Sequence, residues 1–108
     1  MMDGSNRSHG QRCMDALETA AEAKVKALAV RKLAERSFDA IFLKVTGKNV
    51  EERKAIARTH PAYIELDDRA CLAEQDAVVA KARADGAQIL FEEWRTSEAT
   101  LRSIQQAR

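Results

Sequence analysis

Apolar residues between Pro61 and Trp94 recur at alternating intervals of three and four positions. The series consists of Tyr63, Leu66, Ala70, Ala73, Ala77, Ala80, Ala84, Ala87, Phe91 and Trp94. This spacing places every member on one side of an α-helix and is typical of a seam that packs against another helix. Because the middle of the seam is alanine throughout, two such helices can approach to about 8 Å, the lower end of ordinary helix packing. The pattern predicts one long helix that begins at Pro61.

A second alanine-rich seam occupies the first half of the chain. Its members are Cys13, Ala16, Ala20, Ala23, Ala27, Val30, Ala34 and Ile41, with Ser37 as the polar interruption. It predicts a helix that begins between Gln11 and Met14 and ends near Val45. At about 1.5 Å per residue both long helices measure about 50 Å, so they can pair along their lengths. An antiparallel pair should place Tyr63 near Ile41 to Val45, and Phe91 and Trp94 near Cys13 to Leu17.

The connection between the long helices carries its own start and stop signals. Gly47 follows the last apolar residue of the first helix and is predicted to be its left-handed cap. Asn49 precedes Val50 and stands three positions before Glu52, which is a capping-box pattern for a short helix over residues 50 to 58. Pro61 suits the first position of the next helix. The predicted fold is all-α: a long antiparallel alanine-rich helical hairpin, coiled-coil-like, with a short helix at its tip.

The ends and the one weak point of this hairpin can also be read from the sequence. Residues 1–10 are rich in Gly, Ser, Asn and His and are expected to form a disordered N-terminal tail, leaving residues 11–108 as a single helical-hairpin domain. Gly86 costs about 1 kcal/mol relative to alanine inside a helix. We expect the helix to continue through it, because the seam keeps its phase on both sides.

Composition excludes several classes of protein. Nearly a third of the residues are charged, yet the net charge is +1, so the chain is not globally basic. No stretch is apolar enough to span a membrane, and the first residues lack the apolar run of a secretion signal. Cys13 and Cys71 have no metal-type spacing and are interpreted as reduced thiols, with Cys71 as a small core residue. We therefore expect a cytoplasmic location.

Basic residues are concentrated on the first helix and at the tip. The candidate nucleic-acid-binding residues are Lys24, Lys26, Arg31, Lys32, Lys44, Lys48, Arg53, Lys54 and Arg58. Lys and Arg at intervals are sufficient to contact phosphates, without sequence preference. Arg95, beside Trp94, is a further candidate. The competing interpretation is a solvated helical surface with ion pairs between helices, since the start of the third helix is acidic.

Enzymatic chemistry has little support in the sequence. Asp15, Glu18 and Glu22, with the Glu92–Glu93 pair, have the spacing of magnesium-binding carboxylates in helical nucleotide pyrophosphatases, but such spacings also occur on ordinary solvated helix faces. The chain has no glycine-rich phosphate loop and no nucleophile elbow. A capping or surface role is expected for His60 in the Thr-His-Pro turn. We expect no catalytic residue, no metal site and no cofactor.

Two stretches resemble a known group of proteins. VTGKNVEERKAIARTHPAY and ILFEEWRTSEATLR, together with the alanine-rich helix, resemble small helical proteins encoded in phage and prophage genomes. The shared features are the Gly turn, the segment from Glu52 to Ala55, a Tyr at the start of a long helix and a Trp-Arg pair near its end. The layout is similar to UvsY-type phage recombination mediators, which load a recombinase onto single-stranded DNA as oligomeric rings. The resemblance covers roughly residues 41 to 102, and it implies that the cytoplasm is that of a bacterial host cell.

Two functional hypotheses follow. The first is a non-enzymatic phage-type recombination accessory that binds single-stranded DNA through a basic helical edge and works with a recombinase. The second is a helical protein–protein interaction module, such as a phage adaptor or inhibitor, that binds no nucleic acid. The hairpin is expected to form a homo-oligomer, because one copy leaves seven apolar residues without enough cover: Leu28, Leu33, Phe42, Val78, Val79, Ile89 and Leu90. Phosphate binding should weaken steeply as salt rises, whereas apolar helix binding should not.

Overall fold

The chain folds entirely into α-helices over the residues that the structure describes. In this computed structural model the backbone is described from residue 4 to 107 and the side chains from 9 to 107. Helix α1 spans Gly4–Lys44, α2 spans Val50–Arg58 and α3 spans Pro61–Ala107, with no strand among the described residues. The predicted all-α helical hairpin with a short helix between its long arms is confirmed. The predicted continuity of α3 through Gly86 is confirmed as well.

The described residues form two compact units, which share the two long helices. The first unit combines the part of α1 up to Ala21 with the part of α3 from Val78 onward. Its buried apolar residues are Cys13, Ala80 and Ala84. The rings of Phe91 and Trp94 lie beside His9 and Gly10 of α1, the turn before the predicted neighbours Cys13 to Leu17. A Cβ on Gly10 would stand 3.7 Å from Phe91, and the His9 ring stacks on Trp94.

The first helix accordingly begins earlier than its seam predicted. It begins at Gly4 instead of between Gln11 and Met14, so the predicted tail is helical from that point. Helical geometry continues the three-four spacing of the seam backward from Cys13 to His9, which supplies a ring for Trp94 to pack on. The prediction missed this contact because the segment from residue 4 to residue 10 is polar and does not extend the apolar pattern. The first three residues of the predicted tail lie outside the described residues.

The second unit comprises residues 22 to 77 and contains the α1–α2–α3 connection. Its buried apolar residues are all alanines: Ala27, Ala34, Ala57, Ala70 and Ala73. The four on α1 and α3 belong to the two predicted seams. Every other seam position in this unit is partly buried. Tyr63 packs edge-on against Phe38 with ring centroids 5.4 Å apart, one turn before the predicted neighbours on α1.

Local capping defines the ends of α2 and the start of α3. The Asn49 side chain accepts a hydrogen bond of 2.9 Å from the Glu52 backbone N–H, as the capping box predicted. The Glu52 carboxylate reaches back to the backbone N–H of Lys48 at 3.3 Å. At the start of α3, His60 Nδ1 accepts a bond of 3.2 Å from the Ala62 N–H, so the expected capping role of His60 is confirmed.

The prediction that Gly47 is a left-handed cap is wrong. Among the described residues no glycine has a positive φ. Gly47 is instead a point of close approach: a Cβ there would stand 2.9 Å from Cγ of Arg53 and 3.3 Å from its backbone nitrogen. The chain needs a residue without a side chain at this point because Arg53 folds back over it.

Candidate interaction surface

Arg31 joins α1 to α3 in the second unit. Its Nη1 lies 2.6 Å from Oδ1 of Asp67, and its Nη2 lies 2.8 Å from Oε1 of Glu74. Its Nε donates a further bond of 3.1 Å to Glu74, so the guanidinium engages that carboxylate through two nitrogens. Two-point bonding of this kind has better-defined geometry than a lysine ion pair. Arg31 therefore acts as a clamp between the long helices.

The same hydrogen bonds shift the ionisation of this cluster. Bonding to Glu74, and after it to Asp67 and Cys71, raises the pKa of the Arg31 guanidinium. In return, the bond from Arg31 holds the pKa of Glu74 below its ordinary value of 4.5. Both groups therefore remain charged at neutral pH, and the clamp is intact under ordinary conditions.

Cys71 belongs to this cluster and not to the core. The expectation of a core residue is wrong, because Cys71 is exposed and only Cys13 of the two cysteines is buried. Its sulfur lies 3.6 Å from Nη2 of Arg31. Cys71 directly follows the buried seam residue Ala70, and one step along a helix turns the side chain by about 100°, away from the seam.

Arg53 closes the tip in a similar manner. Its Nη2 donates a hydrogen bond of 3.0 Å to the backbone carbonyl of Phe42, in the last turn of α1. Its guanidinium carbon lies 4.4 Å from the centre of the Phe42 ring. A cation at this end of a helix satisfies a carbonyl without an intrahelical partner and complements the helix dipole. Arg53 therefore holds α2 against the end of α1.

The nine predicted phosphate contacts thus have different surroundings, although all of them lie in the second unit. Arg31 and Arg53 are engaged within the chain, and Lys54 lies 3.8 Å from Glu51 in a long i,i+3 pair. Among the described residues the remaining candidates form no ion pair. These are Lys24, Lys26, Lys32, Lys44, Lys48 and Arg58. Since Lys24 and Lys26 are two positions apart, about 200° around α1, these cations are spread over several sides rather than one edge.

The first unit carries an aromatic cluster at the beginning of α1. The rings of His9 and Trp94 are stacked with centroids 5.1 Å apart, and Trp94 lies 6.0 Å from Phe91. Arg95, the additional candidate, lies over the Phe91 ring at 5.8 Å. Trp94 is 37% exposed, so part of its side chain meets solvent although two other rings pack against it. The packing of His9 on Trp94 could not be predicted from the hydrophobic pattern, because histidine is a polar residue.

The largest apolar side chains are mostly on the surface of both units. Alanines and one cysteine form the buried apolar core, and no large side chain among the described residues is fully buried. The exposed apolar residues include Leu28, Leu33, Leu43, Leu72, Val78, Val79, Ile89 and Leu90. An isolated exposed leucine is ordinary, but this distribution reverses the usual order of large side chains inside and small ones outside. The exposed apolar side chains are therefore the main candidate for a binding surface.

The carboxylates considered for metal binding do not assemble. Nowhere among the described side chains do three His, Cys, Asp or Glu residues form a group that could hold a metal ion. Asp15 instead accepts a hydrogen bond of 2.7 Å from Gln11, one turn earlier on α1. None of the described helices is both long enough and apolar enough to pass through a lipid bilayer.

These features define an all-α helical-hairpin protein whose arms pack along an alanine seam and most of whose bulky apolar side chains are exposed. No protein-family model, curated protein or solved structure matches the chain.

Proposed function

We propose that the chain is a non-enzymatic helical assembly module that binds other helices, copies of itself first among them. The observation that supports this proposal is the exposure of its large apolar side chains over a core of small ones. Fully burying a leucine or valine side chain is worth about 1.5–3 kcal/mol, so even a few of these residues could stabilise an interface. Small domains with little core commonly obtain stability by association.

A second candidate is the binding of single-stranded DNA as a phage-type recombination accessory, the function that the resemblance to UvsY-type mediators implies. It is favoured by the six candidate cations of the second unit that form no ion pair among the described residues. Arg31 and Arg53 are poorer contacts than the sequence suggested, because each already binds groups within the chain. The remaining cations could still follow a phosphate backbone, with a steep salt dependence.

The two candidates separate in one experiment. The mass of the purified chain is measured by light scattering over a range of concentrations, with and without a poly-dT oligonucleotide, at low and at high salt. The assembly proposal expects an oligomer in both salts whose mass the oligonucleotide leaves unchanged. A complex with DNA at low salt that dissociates at high salt would favour the second candidate. A monomer at every concentration would refute self-assembly.

A further inference from the structure

One side of the second unit presents exposed apolar and charged residues on both long helices. We call it the Leu72 face, defined by Lys26, Ala29, Leu33 and Arg36 on α1 and by Glu65, Arg69, Leu72 and Asp76 on α3. All eight residues are exposed, with Leu33 and Leu72 at 49% and 61%. On each helix the four positions recur at intervals of three and four, so they form one stripe beside the seam.

The Leu72 face lies on the opposite flank of the hairpin from the Arg31 clamp. Leu33 follows Arg31 by two positions and Leu72 precedes Glu74 by two, and two positions turn a helix by about 200°. The clamp therefore uses none of these residues. The five charged members of the face form no ion pair with any described residue, whereas Arg31, Asp67 and Glu74 pair with one another.

The two stripes of the face carry complementary charges. The α1 stripe has Lys26 and Arg36 at its ends, and the α3 stripe has Asp76 and Glu65 at its ends. Between these end charges lie Ala29 and Leu33 on the α1 stripe, and Leu72 with a further cation, Arg69, on the α3 stripe. An α1 stripe placed against an α3 stripe would bring opposite charges together at both ends, with Leu33, Leu72 and the single cation Arg69 between them. Opposite charges at fixed positions select partner and register.

The spacing of the charges matches the antiparallel register of the hairpin. Within the chain, Arg31 stands level with the segment from Asp67 to Glu74, and Phe38 stands level with Tyr63. By the same register Lys26 is level with Asp76, Ala29 with Leu72 and Arg36 with Glu65. A rotation of 180° about an axis parallel to the helices keeps the position of every residue along that axis. A second copy generated in this way would place its α1 beside α3 of the first copy, with each basic residue opposite its acidic partner.

We propose that a second copy of the chain docks on the Leu72 face, with α1 of each copy antiparallel to α3 of the other. The inference rests on the proposed assembly function and names its partner surface. Lys26 pairs with Asp76 of the second copy and Arg36 with Glu65, while Leu33 and Leu72 are covered at the centre. The alternative of α1 against α1 would oppose Lys26 and Arg36 to like charges, and such contacts disfavour a partner.

The test uses two double variants of the full chain that reverse one half of each charge pair. In the acidic variant, Lys26→Asp and Arg36→Glu make the α1 stripe negative, like the α3 stripe, whose net charge is negative despite Arg69. In the basic variant, Glu65→Arg and Asp76→Arg make both stripes positive. Each variant alone should have the mass of a single chain by sedimentation, at concentrations where the native chain is a dimer. An equimolar mixture should recover the dimer mass, because both of its α1–α3 contacts then join opposite charges.

Controls separate this inference from the proposed function. A control variant, Lys24→Asp with Arg58→Glu, makes the same change in net charge as the acidic variant but lies away from the Leu72 face. It should retain the mass of the native oligomer. Circular dichroism should report equal helix content for all variants. A native chain that dimerises while the acidic and basic variants also dimerise alone would overturn the Leu72 face and leave assembly intact. A native chain that is monomeric throughout would overturn both.

Discussion

The alanine seam makes a quantitative prediction about added volume. Ala84 is 2% exposed, and Ala82, two positions earlier on α3 in the same unit, is exposed. Leucine adds three carbons to alanine, which would contribute about 2 kcal/mol if they could be buried without strain. We expect no such space at Ala84, because neighbouring atoms already cover all but 2% of it. We expect Ala84→Leu to lower the free energy of unfolding by roughly 1–3 kcal/mol, as overpacked cores do.

The matched variant Ala82→Leu should change the free energy of unfolding by less than about 0.5 kcal/mol, since its side chain meets solvent. Thermal unfolding followed by circular dichroism measures both, and each kcal/mol corresponds to about 4–8 °C in a domain of 60–100 residues. A seam variant with a melting temperature equal to or above that of the native chain would show that the helices have room to spare. The close-packed seam would then be incorrect.

Three further substitutions test the tip, the long helix and the clamp, each by thermal unfolding. Gly47→Ala should destabilise the chain by about 1 kcal/mol, because its Cβ would stand 2.9 Å from Cγ of Arg53; an unchanged midpoint would contradict the close approach. Gly86→Ala should stabilise α3 by up to about 1 kcal/mol, since its Cβ meets nothing within 4 Å, and a loss would indicate strain there. Because Arg31 lowers the pKa of Glu74, the carboxylate stabilises the fold above its ordinary pKa of 4.5 and this contribution is lost as pH falls through the lowered value. Glu74→Gln should therefore lower the midpoint at pH 7 and reduce its fall in acid, whereas an acid profile parallel to that of the native chain would exclude the clamp.

The positions of the helices could be predicted because they depend on local signals. The three-four spacing of alanines defines which side of each helix is buried, and Asn49, Glu52 and Pro61 define where α2 and α3 begin. The burial pattern follows both seams, and even Glu98, where the apolar series stops, is partly buried in phase with α3. Periodicity is a property of a single helix, so a single sequence is sufficient to reveal it.

The uses of individual charged and polar side chains could not be predicted in this way. Arg31, Arg53 and Lys32 are all long cationic side chains, and the sequence alone does not distinguish their roles. Arg31 joins two helices, Arg53 caps α1, and Lys32 is exposed without an ion pair among the described residues. Their roles depend on which residues of another element stand at the same height. The same is true of His9, whose ring packs on Trp94 from the far end of the sequence.

The sequence by itself determined the helical class, the paired alanine seams and the capped connection between the long helices, because hydrophobic spacing and capping act within a few residues. The sequence predicted the register of α1 against α3 to within about one turn, and only the tertiary structure decided it residue by residue, placing Arg31 between Asp67 and Glu74. It also revealed the Leu72 face, since opposite charges on two helices become complementary only when their heights are known. Exact register arises from contacts between residues far apart in the chain, whereas local patterns define it only to about one turn.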